Sequence, residues 1–193
     1  MTIARRPLLL AWVASGLTAS VALAQRKPPE TAPATFSMAK EYREIQASAL
    51  RSQRTLLLSF ADSMPERFYR DKVTEAQRDF ANQLYHIARG SGFIASFWLT
   101  ATPRPVAADD SVKAVGSKAG LKAYINQEYD FLDGLMKSQT DADRDLRVQF
   151  FGGTMIPKWQ IWDELNQHAW WTAGQVVANF RKHGMAPPSF LFF

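Results

Sequence analysis

The sequence predicts an all-α fold, a four-helix bundle with at least one long crossover connection. Three observations carry that expectation: four amphipathic segments of roughly 20 to 28 residues, no alternating strand pattern of any length, and no repeat period. The 193 residues, 47% of them hydrophobic, suit one domain around a single core. Two of the connections between the amphipathic segments span about 9 to 19 residues, too long for a plain up-down array joined by tight turns.

The chain opens with Arg5 and Arg6, continues with an apolar run to Val21, and reaches Ala22, Leu23 and Ala24 before Gln25. A basic start, an apolar centre and small residues before the cut mark residues 1–24 as a signal peptide cleaved after Ala24, so the mature chain is expected in the periplasm or secreted. The Arg5-Arg6 pair also suits a twin-arginine leader, and the Sec and twin-arginine routes both stay open. The apolar stretch is short and broken by Ser15 and Gly16, so no stable membrane span is expected after cleavage. Residues 25–36 hold Pro28, Pro29 and Pro33 and read as a flexible spacer. The bundle domain then occupies 37–193.

Helix one is expected over 38–62, where Tyr42, Ile45, Ala49, Ser52, Leu56 and Phe60 recur at steps of three and four. Met64-Pro65 ends it, because a residue before proline avoids the helical region. After a connection over 65–73, Thr74 with Gln77 forms a capping-box pattern that starts helix two, carried by Phe80, Leu84, Ile87, Ile94 and Trp98 to about 100. Gly90 and Gly92 inside it lower helix propensity, so either a neighbour packs closely there or the helix bends. A linker beginning at Thr102-Pro103 leads to helix three over 117–137, with Leu121, Tyr124, Ile125, Phe131, Leu132 and Leu135 on one side. Residues 138–146 read as a loop and 148–151 as a short extended piece, punctuated by Gly152 and Gly153. Pro157 suits the first position of helix four, in which Trp162, Leu165, Ala169, Thr172, Val176 and Phe180 follow helical spacing to a stop at Gly184.

The formal charge of +5 shrinks once Arg5 and Arg6 leave with the leader, to about +3 with bases and acids interleaved. That is a solvated surface rather than a phosphate-tracking stripe, and nucleic acid is not an expected partner. Cysteine is absent, which excludes disulfides, thiolate metal sites and cysteine nucleophiles. Histidine-based chemistry must come from His86, His168 and His183.

His168 and Thr172 share a face of helix four, with Gln175 one turn further on. His86 lies on helix two beside Asn82 and Gln83, on a flank more polar than the Phe80-Leu84-Ile87 stripe. Polar groups projecting from facing helices are the usual way a bundle builds a metal or ligand site. The ordinary alternative is a pair of interior histidines bonded to their neighbours. His183 stands 15 residues beyond His168, roughly 22 Å along an ideal helix, and cannot join the same ion; it suits a donor at a helix C-terminus. Trp159, Trp162, Trp170 and Trp171 crowd helix four, where the choice is between core packing and the aromatic wall of a ligand pocket or a homodimer face. The apolar end 189–193 is expected to dock on its own bundle or on a second subunit.

Four stretches taken in order carry a resemblance: residues 57–65, 79–88, 166–175 and 181–188. Together they resemble the DinB-like superfamily of four-helix proteins over most of residues 40–190. The resemblance implies a divalent ion, Zn or Ni, held by a histidine in mid-helix two and a His-x-x-x-His pair just before Gly-Gln. His86 matches the first ligand and His168 the second, but Thr172 occupies the third-ligand position and Ala173 follows where a basic residue is frequent; Gly174 and Gln175 match. Two neutral imidazoles and an un-ionised hydroxyl are a poor donor set for either metal. Asp163, Asn166, Gln175, Glu128 and Asp130 are further candidate donors among which the sequence does not choose.

Two functions are therefore expected. One is an exported bundle with a degenerate His/His/Thr site that binds a small ligand or a partner, with Asn82, Trp170, Trp171 and Gln175 as pocket residues. The other is a divalent-metal-dependent transferase or hydrolase that uses His86 and His168. An exported location separates the chain from cytosolic thiols, so the resemblance transfers no specific reaction.

Overall fold

The computed structural model describes residues 38–100 and 110–189. The leader 1–24, the spacer 25–36 and the apolar residues 190–193 lie outside the described residues. The chain forms α1 (Met38–Ser63), a single 3-10 turn (Glu66–Phe68), α2 (Phe80–Leu99), α3 (Asp110–Val115), α4 (Lys118–Ser138), α5 (Asp141–Asp145), β1 (Arg147–Gln149), β2 (Met155–Pro157) and α6 (Lys158–Lys182).

The four long helices α1, α2, α4 and α6 make the bundle, with α1 beside α4, α4 beside α2, α2 beside α6 and α6 beside α1. Side-chain contacts fix their directions. Tyr42 meets Trp159 and Phe60 meets Phe180, so α1 and α6 are parallel. Arg54 reaches Asp130 and Lys122 reaches Asp62, so α1 and α4 are antiparallel. Phe80 packs on Phe180 while Lys158 contacts the Leu99 carbonyl, so α2 and α6 are antiparallel too. Helices α2 and α4 consequently run the same way, so the connection between them is a crossover. This is the crossover that the connection lengths predict.

Local chemistry explains the helix ends and where they depart from expectation. Helix two starts five residues later than the Thr74/Gln77 pattern suggests. Asp79 is its cap, with Oδ1 accepting from Asn82 N at 2.8 Å, and Phe80 is its first fully buried side chain. Residues 74–77 form only a turn, Gln77 N to Thr74 O at 3.1 Å, because exposed Ala76 gives a helix there nothing to bury. Ser117 caps α4 through Gly120 N, close to the predicted start. The expected loop 138–146 contains α5, which a Thr140/Asp143 capping box holds. The expected extended piece pairs with an unforeseen second strand, Val148 opposite Ile156, and Trp98 Nε1 of α2 donates to Gln149 O of β1. Pro157 sits one position earlier than expected, as the N-cap of α6.

An aromatic cluster fills the core where α1, α2 and α6 converge. Phe180 lies 5.6 Å from Phe60 and 5.8 Å from Phe80, and Tyr69 packs on Phe80 at 5.1 Å. A polar seam crosses the interior further along the bundle: Tyr129 donates to Gln53 Oε1 at 3.1 Å, and Gln53 Nε2 and Trp170 Nε1 both donate to Asn166 Oδ1 at 2.7 Å. Such directional bonds hold α1, α4 and α6 to one register. Among the described residues no helix is long and apolar enough to cross a membrane.

Phe180→Ala removes the ring that three helices share. The expected loss is about 3–5 kcal/mol, read as a lower urea midpoint at unchanged slope. Trp171→Ser, at a side chain 79% exposed, is expected to change stability by less than about 0.5 kcal/mol.

Candidate functional site

Helices α2 and α6 face each other along Phe80/Phe180, Gln83/Gln175 and His86/His168. Gln83 Nε2 donates to Gln175 Oε1 at 3.0 Å, and Gln77 Nε2 donates to Gln175 O at 3.3 Å. One and two turns along, the two imidazoles meet edge to face with Nε2 atoms 3.3 Å apart. Both histidines are half-buried. The approach is allowed by Gly90: a Cβ there would lie 2.9 Å from His168 Cε1. Glycine in mid-helix costs roughly 0.5–1 kcal/mol relative to alanine, and here it makes room for the ring.

Contact between two Nε2 atoms requires one to donate and the other to accept. His168 Nδ1 is buried without a partner. A buried N–H left unbonded is rarer than an under-used acceptor, so the proton belongs on His168 Nε2, which donates to His86 Nε2 and leaves His86 with its proton on Nδ1. Neither ring carries charge at neutral pH. Burial pushes His86 down to about 4, and Arg78, His168 and Arg89 add to that effect. Burial, then Arg78, also lowers His168.

His86 opens into a surface cleft of about 640 Å³ between α2 and the residues that precede it. Asn82, His86 and Arg89, at i, i+4 and i+7, form the stripe of α2 that lines it, and Arg70 and Arg78 line it from the preceding connection. Asn82 is therefore where a ligand at His86 would meet it. Gln175 is not in the cleft wall but ties α6 to α2, Trp170 bonds to Asn166, and Trp171 points to solvent. Thr172 is 3% exposed, one turn from His168 on α6. His183 lies apart, its ring stacked on Phe68 at 3.8 Å and Nε2 3.3 Å from Asp71. Of the two options that the sequence leaves at Gly90, a close neighbour or a bend, the structure shows the close neighbour, His168. The sequence does not single out Arg78 or Arg89; the 82/86/89 spacing is the one signal, and exposed bases at such spacing are ordinarily solvated.

A tetrahedral zinc ion with Zn–N bonds of about 2.0–2.1 Å holds two nitrogens about 3.3 Å apart, the separation that this pair already has. Neutral imidazoles are also the form that binds metal. Beyond them, no group of three His, Cys, Asp or Glu side chains gathers to hold an ion among the described residues. Thr172 adds only a protonated hydroxyl.

The chain aligns with the crystal structure of a DinB-like protein from Bacillus subtilis, determined at 2.30 Å resolution, with a TM-score of 0.59 over 77% of this chain and 96% of that one. The fold is DinB-like. Sequence identity over the match is 13%, so the likeness is one of helix arrangement. Neither a protein-family model nor a curated protein matches the chain. Within the DinB-like frame, the α2–α6 interface carries the paired histidines.

Two outcomes are expected. Gly90→Ala is expected to cost about 1–3 kcal/mol by forcing His168 aside, whereas in a His168→Ala background the same change is neutral or stabilises by up to about 1 kcal/mol, as a denaturant double-mutant cycle would show. The pH dependence has a definite sign. The unfolded chain protonates His86 near its ordinary value of 6.5, while the folded one resists until about 4, so stability is lost as pH falls through that window. His86→Gln is expected to flatten this part of the pH–stability curve.

Proposed function

We propose that this DinB-like bundle binds a small molecule in the cleft at His86, with the His86–His168 pair as a neutral polar floor rather than as ligands of a resident ion. The supporting observation is the pair itself: two uncharged imidazoles bonded to each other through Nε2, one of them opening into a cleft of about 640 Å³, within the range of small-molecule sites. Two strong donors and a threonine hydroxyl fall short of the three or four that hold zinc firmly, so the donor set does not fit a resident metal. We also take residues 1–24 as a cleaved leader and the protein as exported, on the strength of Arg5-Arg6, the apolar run and the Ala22-Leu23-Ala24 cut.

One observation favours a second reading, a metal-dependent transferase or hydrolase: the 3.3 Å separation of the two Nε2 atoms suits a shared ion. Metal content of protein purified without an affinity tag or chelator separates the two. The first reading predicts far less than one equivalent of zinc or nickel, and zinc affinity raised on the order of a hundredfold in Thr172→His, which supplies the third imidazole. One equivalent of metal in the parent protein, lost in His86→Ala, would establish the second.

A further inference from the structure

The cleft beside His86 has an uneven charge. Four bases and two acids line it, and four of these six cancel in pairs: Arg70 lies 3.2 Å from Asp79, and Lys72 lies 3.8 Å from Glu75. Asp79 is fully committed, since Oδ1 caps α2 through Asn82 N and Oδ2 accepts from Asn82 Nδ2 and faces Arg70. It has nothing left to offer Arg78 next to it. Arg78 and Arg89 are exposed and form no salt bridge among the described residues.

These two guanidiniums bracket His86. Arg89 follows it by three residues on the same stripe of α2, and Arg78 precedes the cap of that helix on the other side. Two positive charges left uncompensated in one cleft attract an anion. Planar guanidinium forks match the two oxygens of a carboxylate or phosphate, and among the described residues no carboxylate pairs with Arg78 or Arg89. The remaining amide hydrogen of Asn82 and the Nδ1–H of His86 are neutral donors on the same stripe.

We propose that the cleft recognises its small-molecule ligand through an oxyanion, a carboxylate or a phosphate, gripped between Arg78 and Arg89 with Asn82 and His86 beneath it. This rests on the reading of the His86 cleft as a ligand site and adds the ligand's chemical class.

Inorganic phosphate and succinate, each titrated into the full chain at constant ionic strength and followed by NMR, test it. Saturable binding is expected, with shifts centred on Asn82, His86 and Arg89, and the tighter of the two probes names the oxyanion. Arg78→Gln and Arg89→Gln are each expected to weaken binding about tenfold, since each removes a charge-assisted hydrogen bond. Lys137→Gln, on α4 and outside the cleft, is expected to leave affinity unchanged. Absence of saturation by either probe, or equal affinity in the parent and both arginine variants, would overturn the proposal. Uncharged fragments that still bind at His86 would in that case leave the cleft standing as a ligand site, and failure of both kinds of probe would remove both readings.

Discussion

The close approach of α6 to α2 at Gly90 is the constraint from which the rest of the site follows. Without a Cβ at that position, the His168 ring lies against the backbone of α2 and reaches His86 with Nε2 atoms 3.3 Å apart. The antiparallel run of the two helices continues that contact in both directions. It sets the Gln83–Gln175 bond and, beyond it, the Phe80–Phe180 contact, so the polar site and the aromatic cluster of the core share one interface. A shift of α6 large enough to part the imidazoles would also break those bonds and open the aromatic cluster. The pair is held by the fold.

Burial and nearby arginines act on this pair in the same direction. Desolvation disfavours an imidazolium, and Arg78 and Arg89 add repulsion, so the histidines share hydrogen-bonding protons without charge. A neutral pair can orient a ligand or accept a metal. The partners available decide which. Thr172 is buried one turn from His168 but contributes only a hydroxyl, while two unpaired guanidiniums stand at the cleft beside His86. The local chemistry is arranged for an anion at the mouth more than for a cation at the floor.

Much of the fold was legible in the residues, because long amphipathic helices declare themselves by spacing and their ends by caps. Ser117, Met64-Pro65 and Gly184 fell close to where local chemistry put them. Where a capping pattern lacked an apolar side chain to bury, as at Thr74 and Ala76, it failed, and Asp79 with Phe80 behind it marked the true start. The β1–β2 hairpin was half visible, since Met155–Pro157 is too short to show an alternation of its own. His86 and His168 were legible as a pair because helical position and resemblance agreed. At Gly90 the residues left a close neighbour or a bend open, and His168 could not be named as the neighbour, since two residues far apart in sequence carry no mark of their contact. Arg78 and Arg89 were indistinguishable from solvated surface charge until pairing elsewhere had used up the neighbouring acids.

The ¹⁵N imidazole spectrum of the parent protein, recorded in anion-poor buffer at pH 5.5, addresses the central claim most directly. The account predicts a neutral His86 ring at that pH, with its proton on Nδ1. An imidazolium signal from His86 at pH 5.5 would contradict it.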